Sequence, residues 1–149
     1  EVLKTSAAGP RESPTLPRWR SRRAMAEPSK ISQVLLGKPR DAADAIQTLG
    51  LLSGQTHRVI TAVAMNSGGR ERMAVSTSHV RFAAMPQAAI AAYVASGEPF
   101  GKAGAYAIQS ALAGWIEHID GSYSGIMGLP LGEIAALLRR AKVAHDLCA

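Results

Sequence analysis

The sequence is short of the residues that most often announce a chemistry. Its 149 residues include one cysteine, Cys148. That excludes an intramolecular disulfide framework and any zinc cluster built on several thiolates, and it fits a reducing compartment. No apolar run approaches the roughly 20 residues of a membrane-spanning helix, so a membrane is not expected among the partners. The basic start lacks an apolar core and does not read as a secretory signal. The four histidines (57, 79, 118 and 145) have no metal-ligand spacing and read as surface or hydrogen-bonded core residues. There is no Gly-x-x-x-x-Gly-Lys-Ser/Thr loop, no Gly-x-Ser-x-Gly elbow and no His-Glu-x-x-His pair. Ser76, Thr77 and Ser78 on the second expected strand have no candidate base placed to serve them, and a Ser-His nucleophile is only a weak reading.

What is present is unevenly placed. The net charge is +6. Residues 1–40 hold nine Lys or Arg against Glu1, Glu12 and Glu27, while residues 41–149 hold eight charges of each sign. The whole excess therefore lies in the first quarter, together with five of the eight prolines. Prolines 10, 14 and 17 interrupt any helix there. Residues 1–30 are accordingly expected to be a non-globular, basic leader. The run Arg18-Trp-Arg-Ser-Arg-Arg23 within it is the kind of cluster that binds phosphate backbones. A solvated tail is the commoner outcome for so short a run, so nucleic acid is not the expected partner. The chain begins with Glu rather than Met, as a processed product, a fragment or a conceptual translation would.

From residue 31 the texture is that of a folded domain, 31–149. Ile31–Leu36 is a short β-like run ending at Gly37-Lys38-Pro39. Asp41 is placed to cap a helix with Ala42, Ala45, Ile46 and Leu49 on one face, stopping near Ser53-Gly54. The stretches 57–65 and 73–82 alternate as strands. With Asn66-Ser-Gly-Gly69 between them they predict an antiparallel hairpin with a longish loop, Met73, Val75, Thr77 and His79 on one side. Pro86 fits the first turn of a helix with Ile90, Tyr93 and Val94 inward and Gly97 at its end. A glycine-containing loop then leads into an extended segment, a strand is expected over 113–119, and Asp120-Gly-Ser-Tyr123 reads as a turn. Pro130 opens a last helix with Leu131, Ile134, Leu137 and Leu138 inward and Arg139, Arg140 and Lys142 at its C-terminal end, where they favour the helix dipole. Helices alternating with strands, one pair of them antiparallel, give a mixed α/β (α+β) class.

Two lysines stand among small neighbours: Lys38 between Gly37 and Pro39, and Lys102 between Gly101 and Ala103-Gly104. Small residues let a ligand approach the backbone, and an ammonium there suits phosphate oxygens. Local physics alone equally allows two exposed loop lysines.

The blocks around these lysines carry more. Leu36-Gly-Lys-Pro-Arg-Asp41, Leu52-Ser-Gly-Gln-Thr-His57 running into Val59-Ile-Thr-Ala-Val63, Tyr93-Val-Ala-Ser-Gly-Glu-Pro99, Lys102-Ala-Gly-Ala-Tyr-Ala-Ile-Gln109, and Gly121-Ser-Tyr123 leading to Gly128-Leu-Pro-Leu131 occur in that order. Over residues 34–138 the chain resembles the Maf family of nucleoside triphosphate pyrophosphatases. The resemblance implies a fold like that of inosine triphosphate pyrophosphatase, with a mixed sheet, helices and a central cleft. It also implies cleavage of a nucleoside triphosphate between its α and β phosphates, giving monophosphate and pyrophosphate with a divalent cation, Mg²⁺. Lys38 and Lys102 match the family's catalytic, phosphate-contacting lysines. Gln109 matches a substrate-binding glutamine associated with pyrimidines, whose amide offers a donor and an acceptor to thymine or uracil. The Lys-Ala-Gly-Ala-Tyr-x-Ile-Gln block resembles the dTTP and UTP branch rather than the 7-methyl-GTP branch. A cytoplasmic location and a link to septum formation follow from the same likeness. His57, Glu98 and Tyr106 fall in matching blocks and are assigned no catalytic role.

The departures are as definite. The family's first strand and its Ser-x-Ser-Pro-Arg-Arg loop have no counterpart in residues 1–30. Its Ala-Asp-Thr strand, whose aspartate is the proposed general base, is replaced by Ala26-Glu-Pro28, and Gly101 stands where the family usually has Asp. The expectation is a Maf-like domain without its N-terminal strand and loop, behind a leader that a frameshift or truncated gene would produce. Such a domain exposes sheet edges, so poor solubility or a homodimer is expected.

Overall fold

The computed structural model describes residues 2–7 and 34–147. In chain order the elements are β1 (Val2–Ala7), α1 (Ala42–Leu52), β2 (Thr56–Ser67), β3 (Arg70–Phe82), α2 (Gln87–Ala95), 3-10 turns over Ala103–Ala105 and Ala111–Trp115, β4 (Ile116–Asp120), α3 (Tyr123–Met127) and α4 (Leu131–Ala141). The strands form one sheet in the order β1-β2-β3-β4. β1 runs parallel to β2, and the other pairs are antiparallel. The mixed α/β class is as expected.

β2 and β3 are the frame. Their twelve paired positions run from Thr56↔Arg81 to Ser67↔Arg70. Alternation does the sorting: His57, Val59, Thr61 and Val63 point to the covered face of the sheet, and so do Ser76, Ser78, Val80 and Phe82 across from them. The expected longish loop is replaced by a two-residue turn. Asn66 and Ser67 stay in the strand, and only Gly68 (φ 59°) and Gly69 (φ 74°) turn the chain. Positive φ at both central positions matches the right-handed strand twist, and glycine takes it without steric cost. The opposite face leaves Met73 (66%) and Val75 (57%) exposed.

Residues 2–7, expected in a non-globular leader of a domain lacking its first strand, instead form β1, registered from Val2↔Val59 to Ala7↔Ala64. Glu27, the Arg18–Arg23 cluster and residues 31–33 of the first β-like run lie outside the described residues. Of that run, Leu36 makes only an isolated bridge.

The helices cover the buried face. Asp41 caps α1: its side chain accepts from the Asp44 N–H at 2.8 Å, worth roughly 1 kcal/mol at such a position. Arg40 then folds over Asp44, donating from Nε at 3.2 Å and from its own backbone N–H at 3.0 Å. Ala45, Leu49 and Leu52 of α1 meet Ile90, Tyr93 and Val94 of α2 above Val59, Val80 and Phe82 of the sheet. Each fully buried large side chain contributes roughly 1.5–3 kcal/mol of transfer free energy. Ser53 ties the end of α1 to the next connection, its Oγ accepting from the Met85 N–H at 2.7 Å.

Four local expectations differ. The strand expected over 113–119 begins only at Ile116, because residues 111–115 take a 3-10 turn capped by Ser110. The extended segment expected after the glycine loop is instead compact, with the 3-10 turn at 103–105. The Asp120–Tyr123 turn leads into α3, a helix too short to show a period. Leu131 is 42% exposed rather than inward, since it stands in the first turn of α4 and burial begins beyond it.

α3 docks on the sheet through hydroxyls as well as through the fully buried Ile126. Thr61 Oγ1 donates to the Gly125 carbonyl at 2.7 Å, and the Ser122 N–H donates to Ser78 Oγ at 2.9 Å. The approach is so close that a Cβ on Gly121 would lie 2.5 Å from Ser78 Oγ and 2.9 Å from its Cα.

Two outcomes follow. Gly121→Ala places a methyl against backbone at φ 117° and is expected to destabilise by roughly 2 kcal/mol or more. Gly50→Ala, at an exposed position in the last turn of α1 with nothing within 4 Å of the new Cβ, is expected to stabilise by about 0.5–1 kcal/mol; urea unfolding of both variants reads the contrast. In the second outcome, the hydrogen-bonded Arg40 guanidinium holds the Asp44 carboxyl below its ordinary pKa. Its stabilising contribution is therefore present above the unfolded carboxylate value and is lost as pH falls through the lowered one. An NMR titration should find Asp44 with a midpoint below an unpaired aspartate, moving up in Arg40→Ala.

Candidate functional site

The two lysines of interest leave the fold on neighbouring loops. Lys38 is exposed in the segment leading to α1, on a groove shared with Arg40, Gln47 and Thr48. Lys102 is partly buried and immediately precedes the 3-10 turn Ala103–Ala105. The loops are joined by main-chain atoms: the Gly104 N–H donates to the Gly37 carbonyl at 2.9 Å. Residues 37 and 104 thus meet although the whole β2–β3 hairpin and α2 separate them in sequence.

The Lys102 loop is tightly wound. Gly101 (φ 76°), Gly104 (φ 75°) and Ala105 (φ 58°) all take the left-handed conformation. For alanine that costs roughly 1–2 kcal/mol, and such a residue persists only where its surroundings over-determine it. Here they do. Ala105 donates from its N–H to the Lys102 carbonyl at 3.1 Å and is fully buried, and residues 103–108 are buried throughout. The Lys102 ammonium donates back to the Glu98 carbonyl, which closes the loop over residues 98–102.

Tyr106, next in the chain, fixes the run to the sheet. It is 1% exposed, and burial pushes its phenol pKa well above the ordinary value. The hydroxyl therefore keeps its proton at neutral pH. Its oxygen is hydrogen-bonded to Nε2 of His57 on β2 at 2.8 Å. The His57 ring stacks on Phe82 (centroids 5.6 Å, planes 9° apart), and Phe82 meets Tyr106 edge-on at 5.0 Å. These three side chains were not assigned a role from sequence. The available signal was that His57 and Tyr106 both fall in matching blocks and that His57 occupies an inward position of an alternating strand.

Gln109 lies exposed just past the buried run. Next to it, Ser110 Oγ accepts from the Tyr93 hydroxyl at 3.1 Å, so the end of the run is tied to α2. The structure thus brings the Lys38 and Lys102 loops together through their backbones and places Gln109 at the far end of the segment that begins at Lys102. Among the described residues no group of three or more His, Cys, Asp or Glu side chains could hold a metal ion. The described side chains thus supply no ready-made cage of three or more ligands for a cation. No described helix is long and apolar enough to cross a membrane.

With this geometry in place, the comparisons with known proteins are specific. A protein of a Polaromonas species named dTTP/UTP pyrophosphatase is 60% identical over 111 residues, covering 74% of this chain and 55% of that protein. Proteins with the same name from Burkholderia pseudomallei and Cupriavidus metallidurans are 59% identical over 116 residues and 60% identical over 107 residues. They are covered to 56% and 54% of their length, by 76% and 72% of this chain. The chain thus spans about half the length of the curated relatives it matches. The family model described as Maf-like protein matches residues 25–141, reaching past the resembling blocks on both sides and taking in Glu27. Most of the sequence lies inside that match, and the chain belongs to the Maf-like protein family.

Proposed function

We propose that this chain is a nucleoside triphosphate pyrophosphatase acting on dTTP and UTP. Water attacks the α phosphorus, the bond to the oxygen bridging α and β phosphates breaks, and monophosphate and pyrophosphate leave. The observation that carries this reading is the 2.9 Å bond between Gly104 and Gly37, which holds two lysine-bearing loops side by side. A triphosphate brings several negative charges, and more charge moves onto the departing pyrophosphate in the transition state. Two ammonium groups on adjoining loops are suited to offset it. Gln109 supplies an amide of the right chemistry to read the edge of a pyrimidine. The three relatives named dTTP/UTP pyrophosphatase support the same substrates. A divalent cation, proposed as Mg²⁺, accompanies the substrate. Such a cation commonly takes most of its ligands from phosphates and water, with only one or two carboxylates. The proposed location is the cytoplasm.

A second reading has the chain bind the nucleotide without turning it over. It is favoured by one observation: Ala26-Glu-Pro28 stands where the family has its Ala-Asp-Thr aspartate.

Pyrophosphate release from dTTP, UTP and 7-methyl-GTP with Mg²⁺ separates them. Turnover of dTTP and UTP is expected to exceed that of 7-methyl-GTP. Lys102→Ala, which removes one charge-stabilising donor, is expected to lower it by roughly 100-fold, and Lys38→Ala likewise. Turnover no higher than that of Lys102→Ala, with dTTP still bound, selects the second reading; absence of dTTP binding discards both.

A further inference from the structure

We propose that His57 is a positioning residue for the nucleotide site: through Tyr106 it holds the backbone run that begins at Lys102 and ends at Gln109. The proposal rests on the pyrophosphatase reading for its ligand, and on the fold alone for its geometry.

Three observations lead to it. First, the run is held in a conformation it would not keep unaided. Ala105 is left-handed between Lys102 and Gln109, with glycines in the same conformation at 101 and 104. Something outside the run must hold it there. Second, the side chain immediately after Ala105 is the run's longest reach into the core. Tyr106 is buried to 1% exposure, and its hydroxyl is paired with His57 Nε2 at 2.8 Å. A buried phenol without that partner would leave a desolvated hydroxyl. Third, His57 is itself immobilised. It sits at an inward position of β2, 7% exposed, stacked on Phe82 of the neighbouring strand. The hydrogen bond therefore connects the strained run to the longest strand pairing of the sheet.

The consequence for chemistry is one of distance. Tyr106 is four residues from Lys102 and three from Gln109, and the Gly104–Gly37 bond passes the constraint on to the Lys38 loop. Loss of the His57–Tyr106 bond lets Ala105 relax toward an ordinary backbone conformation, which moves the chain on both sides of it. His57 touches no nucleotide in this scheme; its effect is carried by Tyr106.

The test uses the full chain and three variants. Tyr106→Phe keeps the ring and removes the hydroxyl. His57→Leu removes the ring nitrogen, and His57→Gln puts back an amide able to pair with a phenol. Two measurements are made: dTTP affinity, and backbone amide exchange across 103–108 relative to α4. Tyr106→Phe and His57→Leu are each expected to weaken dTTP binding on the order of tenfold, as small displacements of binding groups do. They should also speed exchange at 103–108 and leave α4 unchanged. The double variant should bind no more weakly than the weaker single one, because both remove one interaction. His57→Gln should return affinity to within about twofold of the parent, a rescue that mere loss of core volume would not give. Additive losses in the double variant, or unchanged exchange at 103–108 in Tyr106→Phe, overturn the proposal. If the parent chain binds no dTTP, the pyrophosphatase reading falls, and the exchange measurement still decides whether His57 holds the run. Should His57→Leu not fold, Tyr106→Phe, which keeps every ring of the cluster, carries the test.

Discussion

Pairing of β2 with β3 over twelve positions is the constraint on which the rest of the structure depends. A two-residue turn of glycines sets the register, and the register decides which side chains reach the covered face. A slip of one residue would send His57, Val59, Thr61 and Val63 outward together and remove the surface on which α1, α2 and α3 pack. The same pairing supplies three kinds of contact from one face: apolar ones near Val59, Val80 and Phe82, hydroxyl ones at Thr61 and Ser78 for α3, and the aromatic cluster around His57.

The candidate site is built on the periphery of this frame and borrows its order. Neither lysine sits on a strand or helix. Lys38 precedes the capped start of α1, and Lys102 precedes a 3-10 turn whose conformation would be unfavourable in isolation. Rigid elements usually hold such groups better than loops. Here the loops gain rigidity second-hand, from Tyr106 against the sheet and from one main-chain bond between them. The lysines thus stay at or near the surface while the residues just behind Lys102 are buried.

Much of this was legible in the sequence where the signal is local. Asp41 as a cap, Pro86 before a helix, and the inward trio Ile90, Tyr93 and Val94 each depend on residues within a turn of one another, and each is as expected. So does the alternation of β2 and β3. The hairpin loop was overestimated because Asn66 and Ser67 read as turn formers, while Arg70, Glu71 and Arg72 carry no apolar alternation; pairing across the strands overrode both preferences. α3 escaped notice because five residues containing a glycine show no period. The pairing of His57 with Tyr106 spans 49 residues, and no local pattern encodes it. Lys38 and Lys102 stand out locally by their small neighbours, but only the resemblance gives them, and Gln109, a role, since an exposed loop lysine looks the same whether or not it meets a phosphate. The six residues of β1 were hidden by composition: the prolines and arginines that follow gave the whole leader a non-globular character, whereas Val2–Ala7 alone is a plausible strand.

The bond between Gly104 and Gly37 has an implication for how such a site varies over generations. Donor and acceptor are both main-chain atoms, so exchanging the side chains at 38, 102 or 109 leaves the link intact, whereas proline at 104 would delete the donor. Substitutions at 38, 102 or 109 can therefore alter what the loops carry while the spacing between the loops is inherited unchanged. Geometry and selectivity become separately heritable, and a lineage is free to retune its ligand without first rebuilding the scaffold that presents it.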